Sequence, residues 1–156
     1  MNLLPIDPAA KTVWRITAAL GWGAAALAAA VVDAALFFGG GGPFPPGLLT
    51  AGALAAGALH LAFVPARYRA WAYALDDDAL RVEHGVLTRV RTVVPLRRVQ
   101  HLDVTQGLVE REYGVGTLVV HTAGTRDATV SVPGLPYAEA ERLRDAVQAH
   151  VLDDAV

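Results

Sequence analysis

VWRITAALGWGAAALAAAVVDAALFF (Val13–Phe38) and GLLTAGALAAGALHLAFV (Gly47–Val64) contain, after Arg15, one formal charge, that of Asp33. A helix needs roughly 20 apolar residues, at about 1.5 Å rise each, to cross a hydrocarbon core. The first stretch meets that length, and the second lies near the lower limit of roughly 17. Between them GGGGPFPPG (Gly39–Gly47) breaks helices and supplies a turn. The chain therefore reads as a transmembrane hairpin with helices at about 13–38 and 47–65, followed by a soluble domain. The expected organisation is a cytosolic segment 1–12, a hairpin 13–66 and a cytosolic domain 67–156.

Orientation follows from the flanks. Lys11 and Arg15 precede the hairpin, Arg67 and Arg69 follow it, and the connecting turn has neither lysine nor arginine. The positive-inside rule then puts both termini in the cytosol of a multi-pass protein of the cytoplasmic (inner) membrane. Trp14, Tyr68, Trp71 and Tyr73 suit an interfacial aromatic belt. A signal peptide is the competing reading, because Ala28-Ala29-Ala30 resembles a cleavage site. Signal cores run only about 7–15 residues, however, and here a second span follows.

Asp33 and His60 are the ionisable groups inside the spans. Counted from the outer helix ends, their depths differ by roughly 12 Å, too far for direct contact. Each lies near a different interface, where snorkelling lowers the cost of a polar group. Gly21, Gly23, Ala24 and Ala28 on one helix, with Gly52, Ala53, Ala56 and Gly57 on the other, permit close packing within the hairpin or between chains.

Hydrophobic residues make up 54% of the chain, concentrated before Val64, and the net charge of −2 favours neither nucleic acid nor an acidic partner. Without cysteine there is no disulfide, thiol nucleophile or thiolate metal site. From Trp71 onward short β-like segments alternate with turns: WAYALDD, LRVEHG, VLTRVRTVVPL, RVQHLDVTQG, LVEREYGVG, TLVVHTAGT and DATVSVPG. Six or seven such strands predict an antiparallel barrel or sandwich. A final helix is expected over about 136–152, with Pro136 in its first turn and Ala140, Leu143, Val147 and Val151 on one stripe.

The run VPLRRVQHLDVTQGLVEREYGVGTLVVHTAGT resembles the bacterial PH-like domain family of the YdbS-like class. The likeness rests on Pro95 before the basic pair Arg97-Arg98, the step Val99-Gln100, Gly107 before an apolar residue, Arg111 before Tyr113-Gly114, and a strand ending Thr122-Ala123-Gly124. Members of that class often place two transmembrane helices ahead of the domain, as here. The resemblance implies a PH-like fold of mostly β character: two packed antiparallel sheets plus a C-terminal helix. It implies no catalytic activity, cofactor or fixed ligand. On physical grounds the motif residues read as structural. Glycine at strand ends permits positive φ or close backbone approach, and Gln100 can be a satisfied strand residue. Arg111 can pair with Glu110 or Glu112, or bind loop carbonyls.

Arg81, Arg89, Arg91, Arg97 and Arg98, set against Glu83, form a basic cluster in sequence. Beside an anionic leaflet each would contribute around 1 kcal/mol to surface binding. Equally, such charges keep exposed strand faces soluble and protect sheet edges. His84, His101 and His121 fall in different strands without the paired spacing of a zinc site, so no metal is expected. The chain's only serine, Ser131, is not in a nucleophile elbow, and no phosphate-binding loop is present. Nor is there an aromatic platform for nucleic acid. The reading is thus a non-enzymatic, membrane-anchored interaction module without a cofactor, engaging another membrane protein or itself. An anionic-lipid-binding domain and an accessory subunit of a transport or export complex are the alternatives.

Overall fold

The computed structural model describes residues 3–40, 45–123 and 129–153, with only the backbone given over 150–153. Part of the expected turn (41–44), the motif residue Gly124 and the side chain of Val151 lie outside the described residues. Two compact units emerge, one formed by Trp14–Pro65 and the other by Met1–Val13 with Ala66–Val156.

The first unit is a hairpin of two helices, α1 (Pro8–Phe38, of which Trp14 onward belongs here) and α2 (Leu48–Arg69, up to Pro65). Both are long and apolar enough to cross a membrane, and almost none of either span is buried within the protein. Leu20, Leu27, Leu54 and Leu59 are all more than half exposed, as residues facing lipid should be and core residues of a water-soluble helix should not.

Two polar links fix the antiparallel register. The Asp33 carboxylate accepts the N–H of Thr50 at 3.0 Å and its hydroxyl at 2.8 Å, satisfying one of the orphan amides of the first turn of α2. Farther along, the Trp22 indole N–H donates to His60 Nδ1 at 3.0 Å, and the Gly57 backbone lies against the Trp22 side chain. Asp33 and His60 thus serve separate interhelical contacts, in agreement with their separation in depth.

The second unit holds two antiparallel sheets. One has the order β1 (Leu4–Pro5), β2 (Ala72–Leu75), β3 (Ala79–His84), β4 (Val90–Pro95), the other β5 (Val99–Thr105), β6 (Val115–Thr122), β7 (Thr129–Pro136). Strands β2 (Ala72–Leu75), β3 (Ala79–His84) and β4 (Val90–Pro95) form a meander, joined at the second turn by Gly85 at φ +103°. The 3₁₀ turn Leu96–Arg98 leads into β5 (Val99–Thr105), followed by β6 (Val115–Thr122) and β7 (Thr129–Pro136). Helix α4 (Tyr137–Asp153) closes the chain, burying Ala140, Leu143 and Val147. Leu80, Val82, Leu118, Val120, Val132 and Leu135 supply the core, each buried side chain stabilising by roughly 1.5–3 kcal/mol. This is the arrangement that the resemblance implies.

Three features depart from the sequence reading. LVEREYGVG is not all strand: Leu108–Glu112 forms a helical turn, α3. Glu110 accepts the Gly107 N–H at 2.7 Å, and Leu, Glu and Arg are good helix formers, so local capping overrides the apparent alternation. Secondly, α1 begins at Pro8, because Asp7 caps it through Ala9 N–H at 2.7 Å and proline suits the first helical position. Thirdly, α2 continues past Pro65 to Arg69. Its last turn is tied down: Tyr68 O–H donates to the Ile6 carbonyl at 3.2 Å, and the Lys11 ammonium lies 5.8 Å from the centre of the Tyr68 ring.

The segment before α1 is therefore part of the sheet domain. Strand β1 (Leu4–Pro5) pairs with β2, Leu4 opposite Tyr73 and Pro5 opposite Ala72. The Asp7 N–H donates to the Gly134 carbonyl of β7 at 2.8 Å. Between these bonds Ile6 is buried to 1% exposure.

Beside that segment, burial pushes the Tyr73 phenol above the ordinary tyrosine value, and the charge of Glu139 adds to the shift. Folding thus favours the protonated ring. Its contribution is complete below the unfolded value near about 10 and is lost as pH rises through the higher folded value. The full-length protein in detergent should lose denaturant resistance above a pH of about 10. Tyr73→Phe should flatten that loss with little change at neutral pH. Identical alkaline slopes for the two proteins would acquit Tyr73.

Candidate functional site

Strand register decides which polar side chains meet. Arg81 and Arg91 both stand on the outer face of the first sheet, each beside an acid. Arg81 Nε lies 2.6 Å from Asp76 Oδ2, and Arg91 Nε 2.7 Å from Glu83 Oε1. Arg98, in the 3₁₀ turn, donates to the Ala123 carbonyl at 3.1 Å. Arg89 is exposed at the β3–β4 connection, and Arg97 is exposed in the 3₁₀ turn. The five arginines are thus spread over both ends of β4, with two of them neutralised by carboxylates.

Among the described motif residues, all but Arg111 sit where the backbone turns or bulges. Pro95 closes β4 at the entry to the 3₁₀ turn. Gln100 is the bulge residue of β5, between Val99 opposite Thr122 and His101 opposite His121. Its side chain is exposed. Gly107 caps α3, and Gly114, at φ +65°, ends it in a conformation that favours glycine. Arg111 is exposed, and among the described residues it makes no ion pair. Its neighbour Glu110 is occupied by Gly107 N–H and by the Thr117 hydroxyl at 3.3 Å.

The bulge at Gln100 creates a cluster that spacing alone does not reveal. His101 and His121 become cross-strand partners with ring centres 5.8 Å apart, and Asp103 takes both. Its carboxylate lies 2.9 Å from His101 Nε2 and 3.3 Å from His121 Nε2. The Thr129 hydroxyl stands 3.3 Å from His121 Nδ1. Hydroxyl, imidazole and carboxylate in series have the connectivity of a catalytic triad. They lie on an open sheet face, however, with the His101 side chain 68% and Asp103 47% exposed, so water screens the charges that such chemistry must concentrate. No group of three or more potential ligands among the described residues is arranged to hold a metal ion. His84 stands apart, stacked on Trp71 with ring centres 4.7 Å apart.

Two clefts open between β4 and β7. One, of about 400 Å³, lies between the Trp71–His84 stack and Thr129–Ser131. The other, of about 230 Å³, is bounded by Val94, Arg98, Ala123 and Val130. Beside threonine and valine, the larger cleft is walled by Trp71, His84 and Ser131 and the smaller by Pro95, Arg98 and Ala123. Leu87, at the tip between β3 and β4, is 93% exposed with Arg89 two residues away.

A family model described as Bacterial PH domain matches residues 16–151. Two relatives come from Bacillus subtilis (strain 168). The UPF0699 transmembrane protein YdbS is 36% identical over 92 residues, covering 58% of this chain and 56% of the relative. The UPF0699 transmembrane protein YdbT is 30% identical over 100 residues, covering 62% of this chain and 20% of the relative. The chain thus matches about half the length of the first relative and a fifth of the second. No solved structure matches it.

Proposed function

The chain belongs to the bacterial PH domain family and is a transmembrane protein with two candidate spans, and we propose that it is a non-enzymatic interaction module anchored at the cytoplasmic face of the inner membrane. Its PH-like domain engages another membrane protein or a second copy of itself. The observation that carries this reading is the location of its polar chemistry. Among the described residues the interior contains no charged side chain and no polar one apart from the Tyr73 phenol, while Leu87 and Leu108 stand in solvent beside arginines. Such a domain presents surfaces rather than a desolvated reaction site. Lys11, Arg15, Arg67 and Arg69 at the flanks, with neither lysine nor arginine between the spans, support the cytosolic placement. Confinement to the bilayer raises effective concentration, so weak contacts suffice.

The Leu87 tip with Arg89 favours a second reading, contact with anionic lipid headgroups. One experiment separates the two. After crosslinking in native membranes and extraction in mild detergent, mass spectrometry should find a crosslinked polypeptide, this chain included. Retained anionic lipid without any crosslinked polypeptide would move the conclusion to the second reading. Recovery of neither would overturn both.

A further inference from the structure

Helical geometry puts Leu108, Arg111 and Glu112 on one side of α3, since residues three and four apart are neighbours. All three are exposed, Leu108 to 85%. Tyr113 follows at 41% exposure. Tyr137 brings a second exposed ring to the same end of the turn, its N–H donating to the Gly114 carbonyl at 2.9 Å. The folding of the turn accounts for its other residues. Glu110 holds Gly107 and Thr117, Gly114 supplies the positive φ, and the Gln106 amide donates to the Val115 carbonyl at 2.9 Å. The side chains of Leu108, Arg111 and Glu112 do none of this work, and neither charge makes an ion pair among the described residues.

We propose that α3 is the contact surface between two copies of this chain related by a two-fold axis. Arg111 of one copy pairs with Glu112 of the other, and the reverse, with Leu108 and the two tyrosines packed around them. This rests on the reading of the domain as an interaction module, and it names the surface and the partner. Charge decides the occupant. One arginine and one glutamate cancel, so an anionic bilayer gains nothing from this face. Opposite charges side by side on a single surface are complementary to themselves under a two-fold rotation. Arginine and tyrosine around an exposed leucine are also residue types that carry binding energy in interfaces. The patch is smaller than the roughly 800 Å² per partner of a stable soluble complex. Copies held in one bilayer, however, meet at high effective concentration.

The test uses the full chain carrying two different tags, co-expressed, extracted in mild detergent and captured through one tag. Wild-type copies should capture each other. R111E sets carboxylate against carboxylate at both contacts and E112R sets guanidinium against guanidinium, so either variant alone should reduce co-capture about tenfold. R111E copies mixed with E112R copies should recover it, because every facing pair is again opposite in sign. The double variant R111E/E112R should also self-associate, which controls for misfolding of either single variant. Co-capture unaffected by the single variants, or not restored by mixing them, overturns the proposal. So does a wild type that fails to capture itself. If crosslinking in native membranes meanwhile recovers a different polypeptide, the interaction-module reading stands and only this surface is wrong.

Discussion

Ile6→Asp is expected to unfold the sheet domain while leaving the hairpin helical. Ile6 is 1% exposed, and Gly134 of β7 lies close enough that a Cβ built there would come within 3.4 Å of its Cδ1. A carboxylate at this position would be buried among apolar groups without a partner, at a cost of about 3–5 kcal/mol. That is a large share of the roughly 5–15 kcal/mol that holds a domain together. Ile6→Val, which removes one methylene, should cost only about 0.5–1.5 kcal/mol. Circular dichroism of the full chain in detergent reads the result. In Ile6→Asp the cooperative melt of the sheet domain should vanish and the near-ultraviolet signal should shrink to that of the hairpin with its Trp22, while the helical signal of the two-helix unit remains. An unchanged melt would show that the segment before α1 contributes nothing to the fold.

The second large effect is expected at Gly134. Its φ of +66° lies in the left-handed region, which costs a residue with a Cβ roughly 1–2 kcal/mol. It forms a bulge of β7, where the register shifts between Gly116 and Leu118 of the partner strand. A Cβ there would also run into the Cβ of Ala10, itself buried in the first turns of α1. Overpacking of that kind costs about 1–3 kcal/mol, so Gly134→Ala should lose about 2–5 kcal/mol in all. The two causes can be separated. Ala10→Gly removes the atom that the new methyl meets but leaves the backbone strain. In a double-mutant cycle Ala10→Gly should therefore cost less in the Gly134→Ala background than in the wild type. Strict additivity would mean that strain alone is at work.

How much of this was legible in the sequence depends on the range of the interaction concerned. The spans are plain in the nearly charge-free stretches, because a hydrocarbon core demands long apolar runs and no partner need be known. The alternation of VLTRVRTVVPL is that of β4, and the stripe of Ala140, Leu143 and Val147 is that of α4. The two-residue strand β1 has no pattern of its own, since its meaning lies in Tyr73 and Ala72, on the far side of two helices. Its one local signal is Asp7-Pro8, a cap followed by a proline, which marks where α1 starts. The cluster around Asp103 stayed hidden because one bulge residue, Gln100, decides whether His101 faces His121. The arginines illustrate the reverse case. Close in sequence, they part company when Arg81 and Arg91 turn to Asp76 and Glu83.

Strand β1 and strand β2 belong to one sheet although the two spans lie between them. Leu4 and Pro5 reach Tyr73 and Ala72 only when the residues on either side of the two spans share one face of the bilayer. A polypeptide threaded only once leaves its first strand stranded on the opposite side of the bilayer, with the slot for Ile6 empty. Burial of Ile6 thus requires an even number of crossings between β1 and β2.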